Sequence, residues 1–384
     1  MSFFKNAAIN RVNLHTGVQA FAMGAGGIFF LVFLLRAGVS VPMVLGFQAA
    51  LVAQRFLLRP GVLPLAKRIG LRRTLILGTV LEAAVYPILA EVRGIDAAFW
   101  AMCLVAPIGS VLYWTCYHAY FASLGDAEHR GGQIGAREAL SAMVGIVAPL
   151  AGTWALVTAG PRIAFAGVAV IQLLAAVPLL GAPDVAVARE APGGFRAARL
   201  GATLMATDGW LAACYYYVWQ VALFMTLGES LSAYGGAMAL SALVGAVGGM
   251  VLGRRIDAGH GRVAMLVAYA VVAGVVVLRA FSLGSPWLAV AANAFGTLVA
   301  ALQAPAMMTP VYNLAQASPC PLRFHIATEG GWDLGCFGGC LAAAAIAALG
   351  HGLGPAILLG FVGVVPTVVL LWRRYGVIAA LTAA

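Results

Sequence analysis

Residues 181–200 read GAPDVAVAREAPGGFRAARL, the longest polar connection in the chain, with Pro183, Asp184, Arg189, Glu190, Pro192, Arg196 and Arg199 in one stretch. On either side of it, charge is nearly absent. Runs free of Asp, Glu, Lys and Arg cover 12–35, 37–54, 97–125, 139–161 and 163–183 before it, and 209–228, 230–253, 263–278, 280–322 and 334–372 after it. A membrane-crossing helix needs roughly 20 mainly apolar residues, a barrel strand about 10 in strict alternation, and that alternation is absent here. Turn chemistry at Ser285-Pro286 and from His351 to Pro355 divides the longer runs. The pattern then predicts twelve helices near 12–36, 40–60, 74–92, 97–121, 133–158, 161–181, 202–227, 231–253, 263–280, 286–312, 323–349 and 354–372. The polar connection falls after the sixth. The expected fold is an all-α membrane protein with twelve transmembrane helices in two pseudo-symmetric six-helix bundles. These are residues 1–181 and 202–384, joined by a cytoplasmic linker over 182–201.

Composition agrees. Of 384 residues 62% are hydrophobic and 9% charged, whereas soluble domains are about half apolar and about a quarter charged. With 23 basic and 13 acidic side chains, most of the outer surface must face lipid. The formal net charge of +10 is carried almost entirely by arginine, since Lys5 and Lys67 are the only lysines. With the N-terminus inside, nineteen basic residues lie on the cytoplasmic side, Arg55, Arg59, Lys67, Arg68, Arg72, Arg137 and Arg323 among them, and only Arg36, Arg93, Arg162 and Arg279 outside. This bias sets the orientation. Both termini are expected in the cytoplasm, the protein in the cytoplasmic (inner) membrane, and the basic charge requires no nucleic acid. The first apolar run is too long for a signal h-region and has no convincing small-x-small cleavage site, so it reads as a retained helix. Six cysteines lie mostly in apolar runs without metal-site spacing, which predicts packing residues, no disulfide framework and no metal.

An offset of 191 residues brings the halves into register at two places, Gly70 with Gly261 and Glu138 with Glu329. Parallel six-helix halves of this kind build one large class of secondary transporters, with the substrate site at the midplane between them. The loop after the second helix runs Leu63-Pro64-Leu65-Ala66-Lys67-Arg68-Ile69-Gly70-Leu71-Arg72-Arg73. Its copy after the eighth is Gly253-Arg254-Arg255-Ile256-Asp257-Ala258-Gly259-His260-Gly261-Arg262. These loops resemble the Gly-x-x-x-Asp-Arg/Lys-x-Gly-x-Arg/Lys-Arg/Lys signature of the major facilitator superfamily. Leu63 and Lys67 stand where that signature has Gly and Asp, and the second copy keeps the Asp but adds a residue before its last Gly. The resemblance implies a cytoplasmic gate at Arg68, Arg72, Asp257 and Arg262, to which Arg137 and Glu138 at the start of helix five are added. An acid at a helix end can pair with arginines and a neighbouring terminus in one conformation and release them in the other. The alternative is that the arginines only obey the positive-inside rule. On helix five, Ala148-Pro149-Leu150-Ala151-Gly152 resembles the Gly-Pro-x-x-Gly-Gly element of proton-driven exporters in that superfamily, with Ala for its first Gly and Thr153 for its last.

An ionisable side chain at the bilayer centre costs about 2.5–3.5 kcal/mol on insertion scales, so each acid there must face a cavity, a partner or a proton path. His325, Glu329 and Asp333 lie four residues apart, on one face of helix eleven. Two carboxylates one turn apart with a histidine beyond them form a set able to exchange protons; the alternative is a salt-bridge cluster with Arg323 that fixes the helix end. Glu82, midway along helix three, is a proton site or an interhelical hydrogen-bond partner. Asp208 lies near the start of helix seven ahead of Tyr216, Trp219 and Gln220; the resemblance implies that this helix lines the cavity. Helix four ends with Trp114, Tyr117 and His118, read as belt aromatics or cavity residues, and helix one carries His15 and Gln19. With Asn293, Gln303 and Asn313 of helix ten they predict a polar seam along helices one, four, seven and ten.

The expected function is secondary active transport by alternating access, with protons as the coupling ion and a small organic solute as cargo. Aromatic and acidic candidates without an intramembrane lysine tilt this toward neutral, amphipathic or cationic solutes and efflux. Uptake of an organic nutrient is the alternative in class. No phosphate-binding lysine loop, zinc-binding His pair or nucleophile elbow is present, so no enzyme, catalytic residue or cofactor is expected. A scaffold or lipid-handling protein on the same fold stays open. The partners expected are a solute, protons and the bilayer, and the chain is expected to act as a monomer.

Overall fold

The computed structural model describes residues 6–126, 129–256 and 261–383. Nine helices among them are long and apolar enough to cross a membrane. In chain order the bundle comprises α1 (Ala7–Arg36), α2 (Val41–Ile69), α3 (Leu71–Glu91), α4 (Ala97–Leu124), α5 (Arg130–Thr158), α6 (Gly160–Leu180), α7 (199–226), α8 (Leu231–Ile256), α9 (Gly261–Phe281), α10 (Pro286–Ala317), α11 (Pro321–Ala348) and α12 (Gly354–Tyr375). In α8 and α10 the apolar stretches are shorter, Leu231–Val247 and Pro286–Val299. In α7 a π turn at Ala213–Val218 separates two α-helical pieces. The twelve-helix, two-bundle architecture expected from the sequence is the one observed.

Local chemistry explains the helix ends. The Asn6 side chain accepts from Ile9 N at 3.0 Å to cap α1. Asp96 caps α4, accepting from the backbone N–H groups of Phe99 at 2.8 Å and Arg93 at 2.9 Å, which hold its carboxyl below the usual range. Ser285 caps α10 and Pro286 occupies its first turn. That cap settles the 280–322 run as a four-residue connection, 282–285, after the end of α9 and a helix that continues to Ala317, past the expected end at 312. The helix α2 also overruns its expected end at 60, continuing through a tight turn at Arg59–Gly61 to Ile69. Gly70 then takes φ +91°, where a side chain would also run into Asp184.

Lipid tails are as apolar as leucine, so helices in a membrane associate through close packing of small residues. Against α7, the glycines of α11 recur every fourth position. A Cβ on Gly331 or Gly335 would lie 2.2 Å from Ala202 O or 1.8 Å from Ala206 O, and one on Gly339 2.6 Å from the Ala213 Cβ. Gly17, Gly24 and Gly152 bring α1 onto α5 in the same way. Between the halves, α5 packs on α8 and α2 on α11. Large apolar side chains such as Trp287 (85% exposed), Trp154 and Leu104 cover the outside.

Candidate functional site

Helices α2, α4, α5, α10 and α11 converge on one buried cluster that joins the halves. Asp333 lies twelve residues into α11 and is fully buried. Its Oδ1 is 3.1 Å from Arg55 Nη2; its Oδ2 accepts from Arg59 Nε at 3.1 Å and, more closely, from Arg59 Nη2. Arg59 is 2% exposed and also donates from Nη1 to Thr115 Oγ1 at 2.5 Å. One turn back, Glu329 is held more loosely, with Oε2 3.7 Å from Arg55 Nη2 and Oε1 3.6 Å from His118 Nε2.

The cluster continues into aromatic residues. His118 Nδ1 is 2.6 Å from the Tyr312 hydroxyl, and its ring stacks on Trp114 and His325 with centroids 5.8 and 5.7 Å away. Nε2 of His325 has no hydrogen-bond partner among the described residues. Arg137 donates to the hydroxyls of Tyr117 at 3.3 Å and Tyr312 at 3.4 Å, and pairs with the adjacent Glu138 at 2.6 Å. The Arg55 guanidinium lies over the Trp332 ring, 5.4 Å from its centroid.

The structure thus brings together His325, Glu329, Asp333, His118, Trp114, Tyr117, Arg137 and Glu138. Arg55, Arg59 and Thr115 are members that the sequence reading missed. Both arginines were assigned to a cytoplasmic surface layer, and both are buried inside the bundle. Arg279 is also buried, only 4% exposed, donating to Tyr215 O at 2.6 Å in the π turn and lying over the Tyr215 and Trp219 rings. Helix-internal Arg at positions otherwise lined by small and apolar residues was the available signal. Arg323 does not join the acids; its Nη2 donates to Arg189 O at 2.8 Å.

Other candidates lie elsewhere. Glu82 Oε2 accepts from the side-chain amides of Gln19 at 2.8 Å and Gln172 at 3.1 Å, a tie among α1, α3 and α6 within the first half. Asp208 accepts from Gln303 Nε2 at 2.7 Å, and with Tyr215 and Tyr216 it lines a cavity of about 10 Å³, room for one water. Tyr216 is 45% exposed although it lies midway along α7. Trp219 donates to Asn293 Oδ1 at 2.9 Å, and Gln220 is partly exposed nearby.

The expected gate divides. Arg72 turns to its own half, donating to Leu180 O at 3.1 Å and Ala182 O at 2.6 Å, while its backbone N–H reaches Asp184 Oδ1 at 3.1 Å. Asp184 of the connection therefore supplies an acid to the loop in which Lys67 replaces one. Arg68 is exposed. The Arg262 guanidinium lies over the Trp372 ring at 4.5 Å, and Asp257 lies outside the described residues.

Comparison with known proteins now bears on this geometry. The family profile described as Major Facilitator Superfamily matches residues 51–319. Among solved structures, the human organic anion transporter MFSD10 (TETRAN) is similar with a TM-score of 0.70 and 17% identity, over 95% of this chain and 99% of that one. The transporter FucP in its outward conformation is similar with a TM-score of 0.67 and 15% identity, over 95% and 98%. A variant of FucP, described as the Escherichia coli fucose:proton symporter, gives 0.63 and 16%, again over 95% and 98%. No curated protein sequence matches the chain.

Proposed function

Because the chain belongs to the major facilitator superfamily, an integral membrane family of transporters that move small solutes, we propose that it is a proton-coupled secondary carrier working by alternating access. The units that move are residues 1–181 and 202–384, linked by 182–201. The carrier lies in the cytoplasmic membrane with both termini inside and acts as a monomer. A single observation carries this reading: the acids of α11 are bound by Arg55, Arg59 and His118 of the other half. A buried ion pair is costly to break by removing one partner, and a proton on the carboxylate removes the attraction without removing the residue.

Within the cluster we assign two roles. Asp333, held by two guanidinium groups, anchors α11 to α2. Glu329, with contacts of 3.6 and 3.7 Å, exchanges the proton, and His118 beside it is the neighbour able to pass one on. Protonated Glu329 loses its hold on Arg55, the seam loosens, and the halves rock about α5 and α8, where Gly145 meets Ala242.

The cargo we assign is a small organic solute, and the direction export, supported by the Pro149 element of α5. Cationic cargo is left out of this reading, because Arg55, Arg59, Arg137 and Arg279 are buried in the bundle beside only two buried acids among the described residues, Glu329 and Asp333. One solved neighbour is described as carrying organic anions and another as carrying fucose with a proton.

Reconstitution tests this. A solute found by thermal-shift screening should accumulate in liposomes under a proton gradient. Glu329→Gln should keep solute exchange without a gradient and lose gradient-driven accumulation, because a side chain that cannot take up the proton cannot couple the two fluxes. Undiminished gradient-driven accumulation by Glu329→Gln would rule out the proton role. A purified protein that moved no solute of a broad panel and held a protein partner tightly would point to the scaffold alternative.

A further inference from the structure

Between α2, α7 and α11 a groove of about 530 Å³ opens on the outside of the bundle, with Phe56, Pro60, Thr203, Ala206, Ile326 and Gly331 in its walls. Its rim faces lipid, since Leu57 is 74% exposed and Leu334 51%. Each helix brings one stripe of residues to the groove, and each stripe ends in a basic residue on the same side. In α7, Thr203 and Ala206 follow Arg199 by four and seven positions. In α11, Ile326 and Gly331 follow Arg323 by three and eight, and in α2, Lys67 follows Pro60 by seven. These spacings keep each set on one helix face.

Two of the basic ends meet. Lys67 Nζ and Arg323 Nη2 both donate to Arg189 O, at 2.7 and 2.8 Å. Arg323 is more than nine-tenths buried, and its Nη1 has no partner among the described residues. Arg199 and Lys67 are exposed. An apolar slot whose three helices each carry a basic residue beyond the same end, with Arg323 Nη1 left unpartnered there, complements one kind of molecule. We infer that this groove binds an anionic phospholipid, with an acyl chain along Phe56, Ala206 and Gly331 and the headgroup phosphate on Lys67, Arg199 and Arg323. Basic pockets between helices at the cytoplasmic side are suited to acidic headgroups. The groove has walls from both halves and Arg59 at its floor, so the lipid braces the seam that Asp333 and Arg59 form.

The test uses the purified full chain in detergent, with dioleoylphosphatidylglycerol or dioleoylphosphatidylcholine added and bound lipid counted by native mass spectrometry beside the melting temperature. The wild-type protein should retain the phosphatidylglycerol about tenfold more strongly than the phosphatidylcholine, and melt higher with it. Lys67→Gln with Arg199→Gln, both at exposed positions, should abolish the preference. Thr203→Trp should fill the groove and displace both lipids. No headgroup preference in the wild-type protein would overturn the proposal. So would a preference unchanged in the Lys67→Gln/Arg199→Gln protein, or an equal melting shift from glycerol phosphate alone.

Discussion

At the scale of single residues, the decisive contrast is between the two acids of α11. They share a helix face, and the sequence alone ranks them only by depth. The structure separates them by what surrounds them. Asp333 has two guanidinium partners, whereas Glu329 has one at 3.7 Å and an imidazole at 3.6 Å. Removing one member of a buried pair costs about 3–5 kcal/mol, because the other is left charged and unpaired. Arg59→Gln should therefore destabilise the protein by that order in thermal or denaturant unfolding. Combined with Asp333→Asn, the loss should be smaller than the sum of the single losses; strictly additive losses would mean that the two residues do not interact. That Glu329, Asp333 and His325 belong together was legible from their four-residue spacing. The arginines opposite them were not. Loop counting treats every Arg near a helix end as surface charge, and the partners stand 274 positions apart.

At the scale of helices, the apolar runs were enough to find twelve elements, since a stretch of some 20 uncharged residues has few alternatives. Their ends and interruptions depend on particulars. Arg59–Gly61 tightens without stopping α2, and the π turn in α7 is stabilised by Arg279 reaching Tyr215 O from α9; no local pattern announces either. Close approach through glycine is partly readable, as Gly331, Gly335 and Gly339 recur at helical spacing, but which helix they meet is not. Gly335→Ala should force α11 away from Ala206 O and destabilise by about 1–3 kcal/mol, as overpacking does. Gly167→Ala, with nothing within 4 Å of the added methyl, should leave the melting temperature unchanged or raise it slightly. Equal effects at the two sites would show that α7 and α11 are not packed through this glycine face.

At the scale of the molecule, the halves meet through side chains as well as through the connection between them. Besides the buried cluster, Tyr234 of α8 donates to Ile28 O of α1 at 3.3 Å and packs edge-on against Phe29. Cutting the connection between Ala186 and Val187 should leave two fragments that co-purify and still exchange solute, whereas dissociation on cleavage would show that the side-chain contacts alone do not hold the halves together. The seam also bears on biogenesis. The second helix leaves the ribosome with Arg55 and Arg59 long before Asp333 exists, and each arginine opposes insertion by about 2.5–3.5 kcal/mol at the helix centre. Until α11 is made, those two charges lack the carboxylate that pairs with them in the finished fold. A chain truncated before Asp333 would be recognisable to quality-control proteases by the same two charges that make the finished protein hold together.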